Sequence, residues 1–430
     1  MAQFEAGKIL KTTLDEPVKI IKYIAGGGQG DVYVVEYQGK QKALKWYKNV
    51  GNNPKAFYNN LERNVKKGSP DKAFLWAEAL MKRTEGSFGY IMDLRPKDYH
   101  ELSEFIIARN VRFPSFKKVV EACIQIVSAF RVLHNKGYSY QDLNDGNFFI
   151  NPKTADVLIC DNDNVAPNGT NMGVIGKPRY MAPEIVTGKG QVLPNTQTDR
   201  FSLAVILFIL LCNNHPLEGA KCTAIPCMTP AMAEKLYGSE ALFLYDENDK
   251  SNRPVKNIHK NVIKRWQFLP DYIREAFLTA FSQEAIKHPE KRLRELDWLK
   301  VLTRFKSDIV KCDCGNEVFI TNATDTPCDN CHKTLKVNNV FVLPEYSITA
   351  AKDTWVYRCQ LGICNADEAL NPILHVVEKD GKLGWQNTTP NTIKAITSKG
   401  EEKTVAPQAV VPVKAGITIY PLADKKIEIK

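Results

Sequence analysis

Apolar and polar positions alternate through residues 18 to 46, VKIIKYIAGGGQGDVYVVEYQGKQKALKW, around a cluster of glycines. That period of two predicts strand, turn, strand, turn, strand, a small antiparallel sheet. From 114 to 136 the apolar spacing becomes helical, with Pro114 near the start and Gly137 after the end, so a helical lobe begins there. FSLAVILFILLC (201 to 212) is the longest apolar run and reads as a buried core helix, too short to span a membrane. Helical spacing continues over 270 to 305, while the polar segment 245 to 260 reads as a long loop. At 311 the composition shifts to a cysteine-containing knuckle, and short strands such as YSITA, TWVYRCQ, ILHVVEK and ITIYPL come after 341. The chain is therefore read as α+β in three parts: 1–308, 309–340 and 341–430.

Charge and composition refine this picture slightly. Lys and Arg exceed Asp and Glu by 58 to 48, a mild basic excess that suits anionic partners such as nucleotides or acidic proteins. The basic residues are scattered, which argues for a solvated surface and against a nucleic-acid site. The start, MAQFEAGKIL, lacks the pattern of a secretory signal, and eleven cysteines, four of them in one short window, fit reduced thiols plus a metal site. A cytoplasmic protein is expected.

Several residues could carry phosphoryl transfer. In AGGGQGDVY the glycines Gly26, Gly27, Gly28 and Gly30 lie between two predicted strands, where backbone N–H groups could approach phosphate oxygens. The strand after them excludes a dinucleotide-binding turn, which requires a helix. Fifteen residues beyond Gly30, Lys45 stands on a strand under the loop, placed to hold α- and β-phosphates. In YQDLNDGNFFI, Asp142 could accept a hydroxyl proton and Asn147 bind a divalent ion, with Asp161 of CDNDN a second ligand. Each is an ordinary residue alone; their common order and spacing is what points to one site.

Together with GKPRYMAPE (176 to 184), these motifs make residues 18 to about 305 resemble a eukaryotic-type protein kinase. The resemblance implies a bilobal fold, ATP and Mg as cofactors, and a protein substrate. It implies that Asp199, at the head of the apolar helix, braces the catalytic loop and that Arg292 pairs with Glu184. It also calls for a glutamate on the first long helix to pair with Lys45, either Glu62 or, as fallback, Glu78, and for a nucleotide hinge at Met92, Asp93 and Leu94.

The chain departs from the family pattern at several points. The first loop glycine is Ala25, the His-Arg of the catalytic loop is Tyr140-Gln141, and Asp-Phe-Gly is Asp161-Asn162-Asp163. Gln141 in place of the arginine that contacts a phosphorylated loop implies activity independent of such phosphorylation, which makes Thr170 a weak switch candidate. The catalytic-loop lysine is Asn144, and the threonine that packs against it in the family is Lys177, so a swap is expected in which Lys177 supplies the ammonium. A surface lysine is the alternative.

In KCDCGNEVFITNATDTPCDNCHK, Cys312, Cys314, Cys328 and Cys331 have the spacing of a closed Zn site and resemble a zinc ribbon, with His332 a spare candidate. From 341 a β-sandwich is expected, where LGWQNTTPNTIKAI resembles the asparagine-containing turn of the forkhead-associated fold and Arg358 could match its phosphate-binding arginine. A plain protein-docking module is the alternative. GSPDKAFLW, GYIMDLRP, LYGSEALFLYDENDKSNRP and RWQFLP resemble kinases of bacterial tellurite-resistance clusters, which implies a PP2C-type phosphatase and a von Willebrand A-type protein as partners. The reading is an ATP- and Mg-dependent Ser/Thr protein kinase; the alternative is a pseudokinase scaffold that binds nucleotide and organises those partners.

Overall fold

The computed structural model describes residues 3–50, 53–84, 86–108, 110–171, 176–188, 190–320, 325–363, 365–422 and 424–430. Contacts divide the chain into two compact units that do not follow the linear boundaries at 308 and 340. Residues 1–112, 132–260 and 280–292 form the first; 113–131, 261–279 and 293–430 form the second.

The first unit opens with a six-stranded antiparallel sheet in the order β1-β2-β3-β4-β6-β5. Its strands are β1 (Ile9–Lys11), β2 (Pro17–Gly26), β3 (Gly30–Tyr37), β4 (Lys40–Tyr47), β5 (Ala79–Leu80) and β6 (Gly89–Asp93). The β2–β3 and β3–β4 hairpins fall where the alternation predicts them. Val18, Ile20, Tyr33, Val35, Leu44 and Trp46 pack into one cluster; Ala43, Tyr47, Tyr90 and Met92 pack with Phe57 and Leu61 in another. Those last two residues belong to α1 (Pro54–Lys67), which is capped by the Asn53 side chain on the Ala56 N–H and has proline at its first position.

Downstream, β7 (Phe148–Ile150) and β8 (Val157–Ile159) pair antiparallel, and the segments around them carry the polar residues of the catalytic-loop motif. The apolar run forms α2 (Thr196–Cys212), whose residues from Phe201 to Cys212 are all buried. Its Asn195 cap accepts from the Gln197 and Thr198 N–H groups. None of the described helices is long and apolar enough to cross a membrane.

In the second unit, helix Glu295–Asp308 does not end a lobe but anchors the strands beyond it. Phe305 meets Phe116 and Phe319 with ring centroids 5.8 and 5.3 Å away, and Lys306 bonds Glu121 at 3.0 Å and the Tyr357 hydroxyl at 3.1 Å. Asp308 accepts from the Tyr272 hydroxyl at 2.7 Å and the Thr349 hydroxyl at 3.1 Å. These contacts tie the residues on either side of 308 together within this unit. After the cysteine knuckle, two antiparallel sheets of six and four strands share one apolar core that includes Phe341, Ile348, Val376, Trp385, Ile419 and Ile427.

Candidate active site

Lys45 sits in mid-β4, opposite Val32 of β3 and Tyr90 of β6, and is buried, with its ammonium directed into a polar cluster. Nζ donates to Gln29 Oε1 at 3.0 Å, Asp161 Oδ1 at 3.2 Å and Asp163 Oδ2 at 2.9 Å. Burial alone would lower this amine; the two carboxylates overcome it and raise it well above the ordinary lysine value. Gln29 belongs to the turn between β2 and β3. A Cβ at Gly30 would lie 2.3 Å from the Trp46 carbonyl, so close packing of the strands needs glycine there, whereas one at Gly26 would meet only the side-chain ends of Asp31 and Tyr23. Gly27 and Gly28 face open space.

In the loop before β7, Asp142, Asn144 and Asn147 are tied together. Asn147 Nδ2 donates to the Asp142 carbonyl at 2.8 Å, and Asn144 Nδ2 donates to Asp142 Oδ1 at 3.1 Å. Burial raises the Asp142 carboxyl to about 6, against the lowering hydrogen bond from Asn144. Lys177 Nζ reaches Asn144 Oδ1 at 2.9 Å and stands 3.7 Å from Asp145, so the structure brings Lys177 to the catalytic loop through the very residue that replaces the loop lysine. Asp161 adopts left-handed backbone geometry with φ of 54°, which short polar side chains tolerate and which turns the segment toward Lys45.

Asp199 of α2 fixes this loop from behind. Its Oδ2 accepts the Tyr140 N–H at 2.6 Å, its Oδ1 accepts the Gln141 N–H at 3.3 Å, and His134 Nε2 lies 3.0 Å from Oδ2. His134 escapes sequence reasoning because it lies on the helical face before the loop and carries no motif. Gln141 donates through Nε2 to the Thr170 carbonyl at 2.7 Å. Arg292 grips both oxygens of Glu184 at 2.7 Å and also donates to the Gln197 carbonyl at 2.9 Å.

Residues 79–270, which contain Asp142, Asn147 and Asp161, match the family model described as Protein kinase domain. The chain carries a protein kinase domain. The match starts after β4, so Lys45 and the glycine turn are joined to it by geometry, through the Lys45–Asp161 contact. Curated relatives include the Maternal embryonic leucine zipper kinase of Danio rerio, 30% identical over 29% of this chain and 18% of that protein. Protein kinase C eta type of Homo sapiens is 30% identical over 46% of this chain and 26% of its own length. The chain thus spans about a quarter or less of these relatives. A crystal structure of the Mycobacterium tuberculosis PknI kinase domain, in mutant form, is 14% identical, with a TM-score of 0.47 over 70% of this chain and 98% of that one.

Around Lys45, two expectations for its partner are corrected. Glu62 lies on the half-exposed side of α1 and its carboxylate meets Lys66 at 3.4 Å, because the inner positions of that helix are Phe57, Asn60, Leu61 and Asn64. Glu78 bonds Lys42 at 2.7 Å. Met92 and Asp93 end β6, opposite Ala43 and Lys42, with Leu94 next in the chain; Lys42 also takes the Asp93 carboxylate at 2.6 Å. That leaves the backbone of this strand end as its contribution to any ligand.

The four knuckle cysteines converge in the second unit, with all sulfurs within 4.8 Å of one another. Cys312 and Cys331 are 3.6 Å apart, as are Cys314 and Cys328. A tetrahedron with metal–sulfur bonds of about 2.3 Å has sulfur–sulfur edges of about 3.8 Å, so the donor set fits such an ion. The Cys331 backbone N–H is the main reason the Cys328 thiol is brought down to about 6. His332 is exposed and outside the cluster. Arg358, by contrast, is paired with the Glu368 carboxylate, and Asn387 donates to the carbonyls of Asn391 in its own loop and of Val405 at the end of strand Glu402–Val405.

Proposed function

We propose that this chain is an ATP- and Mg-dependent kinase that phosphorylates serine or threonine on a protein partner or on itself. The observation that carries the reading is the Lys45–Asp161 contact at 3.2 Å, which joins the glycine sheet to the residues around Asp142. In this reading Lys45 holds the α- and β-phosphates, the turn from Gly26 to Gly30 covers them, and the strand end at Met92 to Leu94 offers backbone groups to the adenine. Asn147 and Asp161 would hold Mg, which would offset the charge that builds on the phosphate oxygens. Asp142 orients the acceptor hydroxyl and takes its proton. Lys177 stands at the loop through Asn144 and supplies the positive partner for the moving phosphoryl group. Gln141 on the Thr170 carbonyl supports activity without loop phosphorylation.

A pseudokinase scaffold is the second reading, favoured by Tyr140, Gln141 and Asn144 at catalytic-loop positions. One assay separates the two: purified protein with labelled ATP and Mg, beside Asp142→Asn. Label on the protein or on an added partner that disappears in the variant supports catalysis; equal labelling, or none, supports the scaffold.

The four knuckle thiols are proposed as a structural Zn site, a zinc ribbon that steadies a segment with little core of its own. The sandwich after it is proposed as a protein-docking module; the pairing of Arg358 with Glu368 weighs against phosphothreonine reading by a forkhead-associated-like domain. A PP2C-type phosphatase and a von Willebrand A-type protein are the proposed partners, on the resemblance to the tellurite-resistance group. A reducing, cytoplasmic setting is proposed on the cysteine usage of the sequence, eleven in all with four in one short window.

A further inference from the structure

With α1 offering no carboxylate to Lys45, the ammonium must be held by something else, and the segment after β8 supplies one group. Asp163 has a fully buried side chain, and its Oδ2 accepts both Lys45 Nζ at 2.9 Å and the Tyr47 hydroxyl at 2.5 Å. The other carboxylate on Lys45 belongs to Asp161, which is 39% exposed and is the group assigned above to a metal ion. Once Asp161 turns to that ion, Asp163 is the protein carboxylate left to hold the ammonium in place for the phosphates, and a buried ion without a hydrogen-bonded counter-charge is strongly disfavoured.

Helix α1 grips the same segment differently. Asn60 and Asn64 each donate through Nδ2 to the Val165 carbonyl at 2.8 Å, two neutral contacts to backbone where an ion pair to Lys45 was expected. The helix therefore anchors the loop, and the loop supplies the charge.

We infer that Asp163 is the positioning residue for the nucleotide-binding lysine, doing from the segment 161–165 what a helix glutamate was expected to do from α1. This rests on the nucleotide reading of the Lys45 site. Its consequence is that metal ligand and lysine clamp lie two residues apart on one short loop, so that order in this loop, which α1 anchors through Asn60 and Asn64, prepares the phosphate site. Asp163 touches no substrate atom; it acts through Lys45, and Tyr47 steadies it.

The test is equilibrium binding of ATP with Mg and, separately, of adenosine, which lacks the phosphates. Asp163→Asn should bind ATP about tenfold more weakly and adenosine as wild type does, and should raise KM for ATP more than it lowers kcat. Tyr47→Phe should weaken ATP binding about threefold, again without effect on adenosine, and Glu62→Ala should change neither. An Asp163→Asn protein with wild-type ATP affinity overturns the inference, as does a loss in Glu62→Ala that matches it. Should Asp163→Asn fail to fold, the other two variants decide: a Tyr47→Phe protein with unchanged ATP affinity overturns the inference, and the threefold loss supports it. If wild-type protein binds ATP no better than adenosine, the nucleotide reading falls and takes the clamp with it; strong ATP binding in wild type and Asp163→Asn alike removes the clamp alone.

Discussion

Asp142 must be a carboxylate to accept a proton, and its burial, which raises it to about 6, sets the pH at which that condition is met. Below that value the protonated acid dominates, so kcat/KM should climb about tenfold per pH unit up to about 6 and level off above it. Asp142→Asn should lower the rate by ~1,000-fold and abolish that limb. A flat wild-type profile between pH 5 and 7 would deny Asp142 the role of base. Lys177→Met should cut transfer by ~100-fold or more while leaving nucleotide affinity intact; unchanged transfer would return Lys177 to the surface. At this scale the sequence was informative where neighbours follow from spacing along the chain, as for Asp142 and Asn147, which meet in one loop. It was silent on the role of Asp163, since the second acid in CDNDN looks like any loop residue and its partner lies 118 positions away.

Among the elements, α1 shows where pattern reading fails. Glu62, Asn60 and Asn64 share one amphipathic helix, and choosing which of them faces the sheet needs the helix's rotation, which depends on how Phe57 and Leu61 pack. A motif borrowed from a family picks out the acid; packing picks out the amides. The antiparallel sheet was legible because alternation fixes both strand and facing, and α2 because an unbroken apolar run can only be buried. The Arg292–Glu184 pair joins distant segments through two 2.7 Å contacts with Arg292 almost fully buried. Removing one member leaves the other uncompensated, so Arg292→Leu should cost ~3 kcal/mol, read as a fall in melting temperature; Glu184→Gln, which keeps an acceptor, should cost less.

For the whole molecule, the division into units was hidden because three separated stretches, 113–131, 261–279 and 293–430, cluster together. Composition marks a change at 311, yet Phe116 and Phe319 meet across some 200 residues of sequence, a contact no local pattern announces. Asp308, held between Tyr272 and Thr349, is raised by burial from 3.8 to about 6. A carboxyl raised on folding favours its neutral form there, so its contribution is fully present below pH 4 and fades as pH rises through about 6. Relative to Asp308→Asn, wild type should thus lose up to ~3 kcal/mol of stability between pH 4 and 7, checked by denaturant unfolding of both proteins across that range. If the four sulfurs hold zinc, the purified protein should contain one ion per chain by elemental analysis, and Cys328→Ser should lose it and melt at lower temperature.

Phosphoryl transfer by this chain requires Lys45, Asn147 and Asp161 to meet around one triphosphate. A crystal structure with a non-hydrolysable ATP analogue and Mg examines this most directly. It should show Lys45 Nζ within hydrogen-bond reach of α- or β-phosphate oxygens, and Asn147 and Asp161 on the metal. Phosphates bound elsewhere, or a Lys45 site unchanged at saturating analogue, would contradict it.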